Sequence, residues 1–462
     1  MDVVVVGAGY AGLTAATTLA QAGVAVRLLE ARDRVGGRVL SEEVAGLVVD
    51  QGGQWAGPTQ RKLLALAERT GVATFPTYDT GNNVEWLGGA RHLYTGPIPN
   101  GDPEAMDEAV TAMFDLELMA IEVPLDAPWK APQAAAWDAM TAQSWLDARV
   151  EHEAGRRVLG LAVEAVFSCQ PQDLSLLHLL FYIHSAGGLT QLLGVTDGAQ
   201  DRRFVGGAQE PAKRLAAALG DALVLGTPVR GVAQDDEGVT VHHDGGAERA
   251  SFAVVALPPA LAGRLSYSPA LPGLRDQLTQ RVPMGTVIKC HLVYESPFWR
   301  EDGFSGQLTA DTGTCRVLFD NSPADGSRGV LMGFVEGEQG RVWGARSQED
   351  RKAELVALAE RTFGPAAATP VAYTDKVWAD EEWSRGGYAG TFGPGTWTSY
   401  GEAVRAPVGR LHWAGTETAL RWNGYIDGAI ESGERAAREV LARLGVPEER
   451  WPEPLPLSGD EQ

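Results

Sequence analysis

The chain opens with a short apolar run, a glycine-rich turn and an apolar segment with helical spacing. Residues 2–6 predict a buried strand, residues 13–22 a helix and residues 24–30 a second apolar strand. A strand, a helix and a second strand within about 30 residues are typical of a βαβ unit. An amphipathic pattern over residues 61–70 predicts a further helix.

The pattern changes after this unit and later changes back. Helical spacing dominates from about residue 103 to residue 185, and strand-like runs return after it. Predicted helices cover 106–121, 142–150, 155–167 and 174–185, then 348–363 and 425–444. Predicted strands cover 223–225, 229–233, 239–243, 253–257, 287–294, 314–319, 329–335 and 411–414.

Pieces of a nucleotide-binding fold therefore stand at the start, in the middle and at the end of the chain. We expect a mixed α/β (α+β) protein of two interleaved domains. A Rossmann-like domain is predicted over residues 1–80, 206–285 and 391–450, and a domain of sheet plus helices over 81–205 and 286–390. Residues 451–462, rich in proline and acidic side chains, predict a flexible tail.

Composition narrows the class of protein. Hydrophobic residues make up 44% and charged residues 21% of the 462 residues, which excludes a disordered or fibrous chain. The net charge of −21 argues against nucleic acid and anionic membranes as partners, since both bind basic surfaces. The acidity either draws in small cations or only keeps the protein soluble.

Three features suggest where the chain resides. The three cysteines are odd in number and lack metal-ligand spacing, which predicts a reducing, cytoplasmic compartment and no metal site. A predicted strand begins at residue 2, so we expect no signal peptide. No apolar run reaches the length of about 18 residues that a membrane span needs.

The strongest motif is Gly7-Ala8-Gly9-Tyr10-Ala11-Gly12, which lies between the first strand and the first helix. Its first glycine permits a tight turn, its second allows a pyrophosphate to approach the backbone, and its third allows close packing of helix and strand. The helix N-terminus offers free N–H groups to phosphates. Glu30 ends the second strand, where a carboxylate would accept hydrogen bonds from ribose hydroxyls.

The next residues favour FAD over NAD. The run Glu30-Ala31-Arg32-Asp33-Arg34-Val35-Gly36-Gly37-Arg38 resembles the E-x-x-x-R-x-G-G-R signature of flavin amine oxidases. Arg32 and Arg38 can neutralise a pyrophosphate, and the paired glycines let the chain pass close to a cofactor. The segment Asp50-Gln51-Gly52-Gly53-Gln54-Trp55 continues the family pattern.

The end of the chain supplies the other half of the pattern. A predicted strand runs into Ala414-Gly415-Thr416-Glu417-Thr418, and Asn423-Gly424-Tyr425-Ile426-Asp427-Gly428-Ala429 opens the last helix. N–H groups at that helix start can hold the pyrimidine oxygens of a flavin. From residue 2 to about residue 450 the chain resembles the monoamine oxidases.

This resemblance implies a two-domain flavin amine oxidase fold with FAD as cofactor. The implied FAD contacts are Gly7, Gly9, Tyr10, Ala11, Gly12, Glu30, Ala31, Arg32, Gly37, Arg38, Gly53, Gln54, Trp55, Val229, Trp378, Gly415, Thr416, Gly424, Tyr425 and Ile426. The Rossmann-like domain would then be the FAD-binding domain, and the other would bind substrate. Relatives are often dimers, which leaves a homodimer open.

Lys289 stands out because the chain has 6 lysines against 33 arginines and this one lies within an apolar strand. Such a lysine either extends to a surface or is buried for a reason. Its surroundings match the family segment whose lysine holds a water near flavin N5. By the same resemblance, Tyr388 and Tyr425 form an aromatic cage on the path to the flavin.

One departure from the family matters. Mammalian monoamine oxidases bind the flavin covalently through a cysteine immediately before the first cage tyrosine. Gly387 stands at that position, so we expect FAD to be held without a covalent bond. The membrane anchor of the mammalian enzymes has no counterpart in this sequence either.

The substrate pocket follows only from the resemblance. The matching positions are Trp55, Ala162, Ala165, Val166, Leu193, Gln200, Val317 and Phe334. The two alanines and Val317 replace bulkier residues, which predicts a roomier cavity unless neighbouring side chains refill the space. No His, Asp or Glu at these positions suggests a general base.

The resulting hypothesis is FAD-dependent oxidation of a small primary amine by dioxygen, with aryl-alkyl amines favoured. Alternatives are a diamine or polyamine oxidase and an L-amino acid oxidase, although Gln54-Trp55 occupies the place where the latter usually has a carboxylate-binding arginine. A lipid desaturase would need an apolar docking face, which the net charge disfavours. A non-catalytic FAD-binding scaffold is the remaining alternative.

Overall fold

A five-stranded parallel sheet joins the three segments that the hydrophobic pattern assigns to the nucleotide-binding fold. The computed structural model describes residues 1–96, 99 and 101–456. Across this sheet the strands are Leu411–Trp413, Phe252–Val255, Val3–Val6, Val26–Leu29 and Leu223–Val224. Val3–Val6 is buried along its whole length, because a central parallel strand is covered on both faces.

Side chains of the first strand alternate between two cores, as the period of a strand requires. Val3 and Val5 face a helical layer, whereas Val4 and Val6 face a second sheet. The helical layer comprises Tyr10–Gln21, Arg61–Arg69, Glu210–Leu219 and Ile426–Arg443. The second sheet has four strands in the order Gly246–Ala250, Val239–His243, Val229–Gln234 and Ser266–Ser268.

A seven-stranded sheet forms the centre of the other half of the molecule. Its strands are, in order, Ala372–Val377, Val287–Tyr294, Gly329–Glu336, Val317–Asp320, Phe304–Ala310, Asn82–Leu87 and Ala90–Tyr94. Ile288, Cys290 and Leu292 pack in one core with side chains of the helix Gln348–Phe363. The alternate residues of that strand, Lys289 among them, therefore point to the opposite face, toward the first half of the molecule.

A helical layer completes the second half. Its helices are Pro103–Ala120, Ala134–Ala139, Ala142–Arg149, Glu153–Phe167, Leu176–Ala186 and Leu189–Leu193. Leu176–Ala186 is buried almost throughout and lies at the centre of their shared core. None of the helices within the described residues is long and apolar enough to cross a membrane.

Shorter elements connect these layers. Two small antiparallel pairs are Ser41–Val44 with Leu47–Asp50 and Thr74–Pro76 with Arg202–Phe204. The remaining α-helices are Pro259–Ala262, Gly273–Arg281, Phe298–Glu301, Gly337–Gly344 and Thr396–Tyr400. Short 3₁₀ segments include Trp378–Asp380 and Thr416–Thr418, which border the site described below.

The boundaries differ from the predicted ones for local reasons. The first helix begins at Tyr10, three residues early, because Gly9 already acts as its N-cap. The helix predicted from residue 106 begins at Pro103, since the Asp102 side chain accepts from the Ala105 N–H and proline is suited to the first turn. The strand predicted from residue 314 begins only at Val317.

The flexible tail predicted from residue 451 needs correction for residues 451–456. Leu455 is buried, and its backbone carbonyl accepts a hydrogen bond from Lys62 Nζ at 2.7 Å while its N–H donates to Glu434 at 2.8 Å. Lys62 and Glu434 themselves form a buried ion pair. This short segment thus packs against the helical layer; residues 457–462 lie outside the described residues.

Candidate active site

A cavity of about 810 Å³ is lined by both halves of the molecule. It extends from the glycine turn after the first strand to the helix Glu153–Phe167. Every residue predicted from the sequence as a cofactor, substrate or catalytic residue lines it, apart from Gly12. The predicted cofactor-binding and substrate-binding residues, which are scattered along the chain from Gly7 to Ile426, therefore share one continuous cavity.

The glycine turn is tight because side chains have no room there. Gly7 has a φ of +95°, and a Cβ at this position would lie 3.0 Å from the Ala256 carbonyl oxygen. A Cβ on Gly12 would collide with the carbonyl of Gly7, so Gly12 permits packing of helix on strand rather than lining the cavity. Gly9 and Gly37 pack backbone to backbone. The first-turn N–H groups of the helix Tyr10–Gln21 face this cradle without intrahelical acceptors.

Glu30 fastens the turn to the second strand. Its carboxylate accepts hydrogen bonds from the Ala8 N–H at 2.6 Å and from the Arg32 N–H at 3.0 Å. The residue is buried but lines the cavity. Because each carboxylate oxygen has two lone pairs, Glu30 retains capacity to accept from a ribose hydroxyl.

Arg32 and Arg38, the residues predicted to neutralise a pyrophosphate, both line the cavity and both have carboxylate partners. Arg32 donates to Glu381 at 3.2 Å and to the Ser384 hydroxyl at 2.8 Å. Arg38 donates to both carboxylate oxygens of Glu417, at 2.6 and 3.1 Å. Each guanidinium is thus paired with a carboxylate, and a guanidinium has five N–H donors, so a contact with phosphate stays a prediction for both residues. The unpaired N–H groups of the helix start are further donors for phosphate.

The start of the last helix shapes another part of the cavity. Thr416 donates a hydrogen bond to the carbonyl of Tyr425, the N-cap of Ile426–Arg443, at 2.8 Å. A Cβ on Gly53 would lie 3.4 Å from the Ile426 side chain, so the absence of a side chain at Gly53 leaves space on the floor of the cavity. A Cβ on Gly424 would meet the Tyr182 hydroxyl group. A flat ring system has room here because these positions lack side chains.

Lys289 is buried, which excludes the alternative of a surface lysine. Its Nζ donates to the Gly52 carbonyl at 2.9 Å and to the Gln54 side-chain oxygen, and it lies 5.6 Å from the ring of Phe334. Burial lowers the pKa of Lys289 to about 7, against an opposing contribution from Asp50. A cavity-lining amine that changes charge near neutral pH is a typical feature of an active site.

Tyr388 and Tyr425 both line the cavity. Tyr388 packs edge to face against Phe334, with ring centroids 5.6 Å apart. Tyr425 packs against Trp422 at 4.8 Å and Tyr182 at 6.0 Å. Burial raises the pKa of both phenols, so both remain neutral donors.

The predicted substrate wall is largely apolar. Trp55 contacts Phe319 at 5.2 Å and Phe334 at 6.1 Å between ring centroids. The Gln200 amide donates to the Leu192 carbonyl at 3.2 Å and adds a neutral polar group. The remaining positions, Ala162, Ala165, Val166, Leu193 and Val317, also line the cavity. Since the alanines reach the cavity surface, neighbouring side chains do not fully cover them.

Sequence reasoning missed Glu336. It does not line the cavity, but it accepts a hydrogen bond from the Tyr388 hydroxyl at 2.6 Å and is buried behind that ring. The one available signal was an acidic residue at the end of the otherwise apolar run 329–335. Tyr182, which lines the cavity beside Tyr425, was missed as well.

The arrangement defines a class of protein. The pattern of the flavin containing amine oxidoreductases matches residues 10–441, so the chain belongs to this family and is an amine oxidase that uses FAD. The glycine turn, the floor at Gly53 and the helix starts form a cradle that fits this cofactor.

Relatives and solved structures agree on the class. The pig (Sus scrofa) amine oxidase [flavin-containing] B is 37% identical over 470 residues, covering 99% of this chain and 90% of the relative. A structure of putrescine oxidase bound to putrescine is 37% identical with a TM-score of 0.93, covering 96% of this chain and 99% of that chain. Cyclohexylamine oxidase from Brevibacterium oxydans is 33% identical with the same TM-score and coverage.

Proposed function

We propose that this enzyme oxidises a small primary amine, preferably an aryl-alkyl amine, to an aldehyde, ammonia and hydrogen peroxide. The observation that carries this proposal is the apolar, aromatic wall of Trp55, Phe334 and Val317 next to Tyr388 and Tyr425. Such a wall accommodates an aromatic or alkyl group, and the tyrosine faces accept the amino group.

Within this proposal, FAD supplies the acceptor for the electrons that the amine loses. Tyr388 and Tyr425 orient the neutral amine, and the apolar wall excludes water from it. Below its pKa, Lys289 carries a positive charge on Nζ. This charge stabilises the negative charge that develops on dioxygen as it is reduced. Water then hydrolyses the imine product to the aldehyde and ammonia.

The distribution of arginines argues against an amino acid substrate. Among the described residues, the arginines that line the cavity are Arg32, Arg38, Arg230 and Arg264. The first two are paired with Glu381 and Glu417, and Arg230, which follows Val229, is paired with Asp244. Arg264 precedes Leu265, which packs against the same core as Val229. The side chains of the wall itself are uncharged, and the nearby Lys289 Nζ, 5.6 Å from the Phe334 ring, already donates to Gly52 and Gln54. A substrate carboxylate buried at this wall without a free cationic partner would cost several kcal/mol.

A diamine is the second candidate, and Asp79 is the observation that favours it. This carboxylate lines the cavity and accepts hydrogen bonds from Gln307 at 2.6 Å and Thr196 at 2.7 Å. Both donors are neutral, so the negative charge stays available for a second ammonium group. The likeness to putrescine oxidase supports the same candidate.

The experiment is a peroxide-coupled comparison of kcat/KM for phenethylamine, phenylalanine and putrescine. Phenethylamine and phenylalanine form a matched pair that differs only in the carboxylate. We expect phenethylamine to be the best of the three. A faster reaction of phenylalanine would show an amino acid oxidase, and a faster reaction of putrescine would show a diamine oxidase.

We also propose that FAD is bound without a covalent link. The support is Gly387, which offers no side chain for a bond, while Cys169, Cys290 and Cys315 are all buried and none of them lines the cavity. Acid denaturation should release yellow FAD into the supernatant. A flavin that precipitates with the protein would refute this part of the proposal.

We also propose the domain boundaries and the cellular location of the protein. The FAD-binding domain would comprise residues 1–80, 206–285 and 391–450, and the substrate-binding domain 81–205 and 286–390, as the membership of the two large sheets supports. A cytoplasmic location is supported by the three buried, unpaired cysteines.

A further inference from the structure

We propose that Glu336 is a positioning residue that sets the pH dependence of amine oxidation through the hydroxyl of Tyr388. The inference rests on the proposed function, because it concerns the amine that Tyr388 faces. The sequence does not indicate that Glu336 and Tyr388 form a pair, since they are 52 positions apart.

The geometry places the carboxyl group directly behind the ring. Glu336 is the last residue of the strand Gly329–Glu336, two positions after Phe334, so both side chains leave the same face of the sheet. Phe334 packs edge to face on Tyr388, and the Tyr388 hydroxyl donates to Glu336 Oε1 at 2.6 Å. Glu336 is only 4% exposed, whereas Tyr388 lines the cavity. The ring thus separates the carboxyl from the amine.

The charges around Glu336 come from several elements. Glu164, on the helix Glu153–Phe167, faces it and is itself paired with Arg316, which precedes the strand Val317–Asp320. Cys315 also faces Glu336, and Glu338 and Arg341 face Glu164. Ser168 and Tyr425 face Tyr388. Arg316 forms its ion pair with Glu164, and none of the ion pairs among the described residues includes Glu336.

Burial is the main reason why this carboxyl resists ionisation. It raises the pKa of Glu336 to about 8; the hydrogen bond from Tyr388 opposes the shift, Glu164 adds to it and Arg316 opposes it. The group is therefore neutral below about pH 8 and becomes a carboxylate as the pH rises. Its change of state falls in the range in which an enzyme works.

The two states act differently on the cavity. As a carboxylate, Glu336 accepts the Tyr388 O–H and pushes electron density into the ring, which makes the π-face more negative. As a neutral acid, Glu336 donates its own proton to the Tyr388 oxygen and withdraws that density. The amine should therefore be held and oxidised better above the pKa of Glu336. No proton leaves the pair other than the one that Glu336 exchanges with solvent.

The test compares pH profiles of kcat/KM for wild type and Glu336→Gln, using two primary amines of different pKa. Glutamine keeps the shape and can accept from Tyr388, but it does not ionise. The part of the pH profile that reports ionisation of the amine (its limb) shifts with the pKa of the substrate. A limb that reports ionisation of Glu336 stays at the same pH for both substrates. We expect a fixed limb near pH 8 in wild type, worth about tenfold between about pH 7 and about pH 9, and its loss in Glu336→Gln.

Controls separate this role from a structural one. Glu338→Gln changes an exposed glutamate two residues away and should keep the wild-type limb. Tyr388→Phe removes the connecting hydroxyl, so it should also lose the limb, and Glu336→Gln should change nothing further in that background. An infrared titration of wild type should show a protonated carboxyl band that disappears near pH 8 and is missing in Glu336→Gln.

The outcomes are distinguishable. If wild type oxidises amines but the fixed limb persists in Glu336→Gln or in Tyr388→Phe, the role of Glu336 is wrong while the proposed function stands. An infrared band that is present in wild type, absent in Glu336→Gln and titrates at the ordinary glutamate pKa would overturn it as well. Should Glu336→Gln fail to fold, persistence of the limb in Tyr388→Phe overturns the role and its loss supports it. If wild type oxidises no amine, the proposed function itself fails.

Discussion

Lys289 shows how one residue gains its properties from burial. On the surface its ammonium group would stay charged well above neutral pH, but burial on the cavity face lowers its pKa to about 7. The Gly52 carbonyl and the Gln54 amide hold Nζ in place. The same amine can therefore be charged or neutral at working pH.

We predict that Lys289→Met slows the reaction of the reduced enzyme with dioxygen by about 10²-fold, because a preorganised positive charge is lost. FAD binding should be affected far less, since the hydrogen bonds of Lys289 with Gly52 and Gln54 do not involve the glycine turn that would receive the pyrophosphate. Stopped-flow mixing of reduced enzyme with oxygen measures the rate. Lys352→Met, which changes an exposed lysine, is the control and should leave it unchanged.

The pH dependence of this step has a definite sign. The folded pKa of Lys289 is lowered, so the charged form is present below about pH 7 and is lost as the pH rises. The rate of reaction with dioxygen should fall through about pH 7 in wild type and lack this fall in Lys289→Met. A rate that rises through the same range, or an equal rate in the variant, would remove Lys289 from the site.

Single residues could be predicted from the sequence where they belong to a recognisable motif. The glycines, Lys289 and both tyrosines could be named because a spacing or a family segment marks them. Glu336 could not, because its proposed role depends on a contact with Tyr388 that is formed between two distant segments of the chain. The carboxylate partners of Arg32 and Arg38 were hidden for the same reason, as Glu381 and Glu417 are distant in the chain.

Among the elements, the βαβ unit at the start is the one most fully determined by local sequence. Its strands are short apolar runs, and its turn needs glycine at positions without room for a side chain. The strand Phe304–Ala310 and the edge strand Ala372–Val377 were not predicted, because both mix polar and apolar residues and depend on cross-strand partners. The helix Glu210–Leu219 was missed too.

The glycine turn supports a prediction at this scale. Gly12→Ala should destabilise the holoenzyme by about 1–3 kcal/mol or more and lower the FAD content, because the added methyl group meets the Gly7 carbonyl between helix and strand. Urea unfolding and the ratio of flavin to protein measure the two effects.

A matched glycine provides the control. Gly273 begins the helix Gly273–Arg281 and is exposed, and no heavy atom lies within 4 Å of the place that an alanine methyl group would take, so Gly273→Ala should leave FAD content unchanged. Its stability should change by no more than about 1 kcal/mol. An equal loss of FAD in both variants would mean that the packing of Gly12 is not what shapes the site.

At the scale of the whole molecule, the cavity exists because two sheets from interleaved segments face each other. Lys289 and Gln54 meet across 235 positions of sequence, and Arg38 and Glu417 across 379. Hydrophobic periodicity predicts the elements but not which faces meet, so the assembly of the site followed from the family resemblance. The net charge of −21 is also a property of the whole chain, and it suits a cationic substrate better than an anionic one.

Anaerobic mixing of the oxidised holoenzyme with phenethylamine or with phenylalanine tests the proposed substrate class directly. Loss of flavin absorbance reports oxidation of the substrate alone, without the reaction with dioxygen. We predict that phenethylamine bleaches the flavin about 10²-fold faster or more, because the side chains of the apolar wall are uncharged and the nearby Lys289 already donates to Gly52 and Gln54. Equal or faster bleaching by phenylalanine would show that the enzyme does not prefer amines to amino acids.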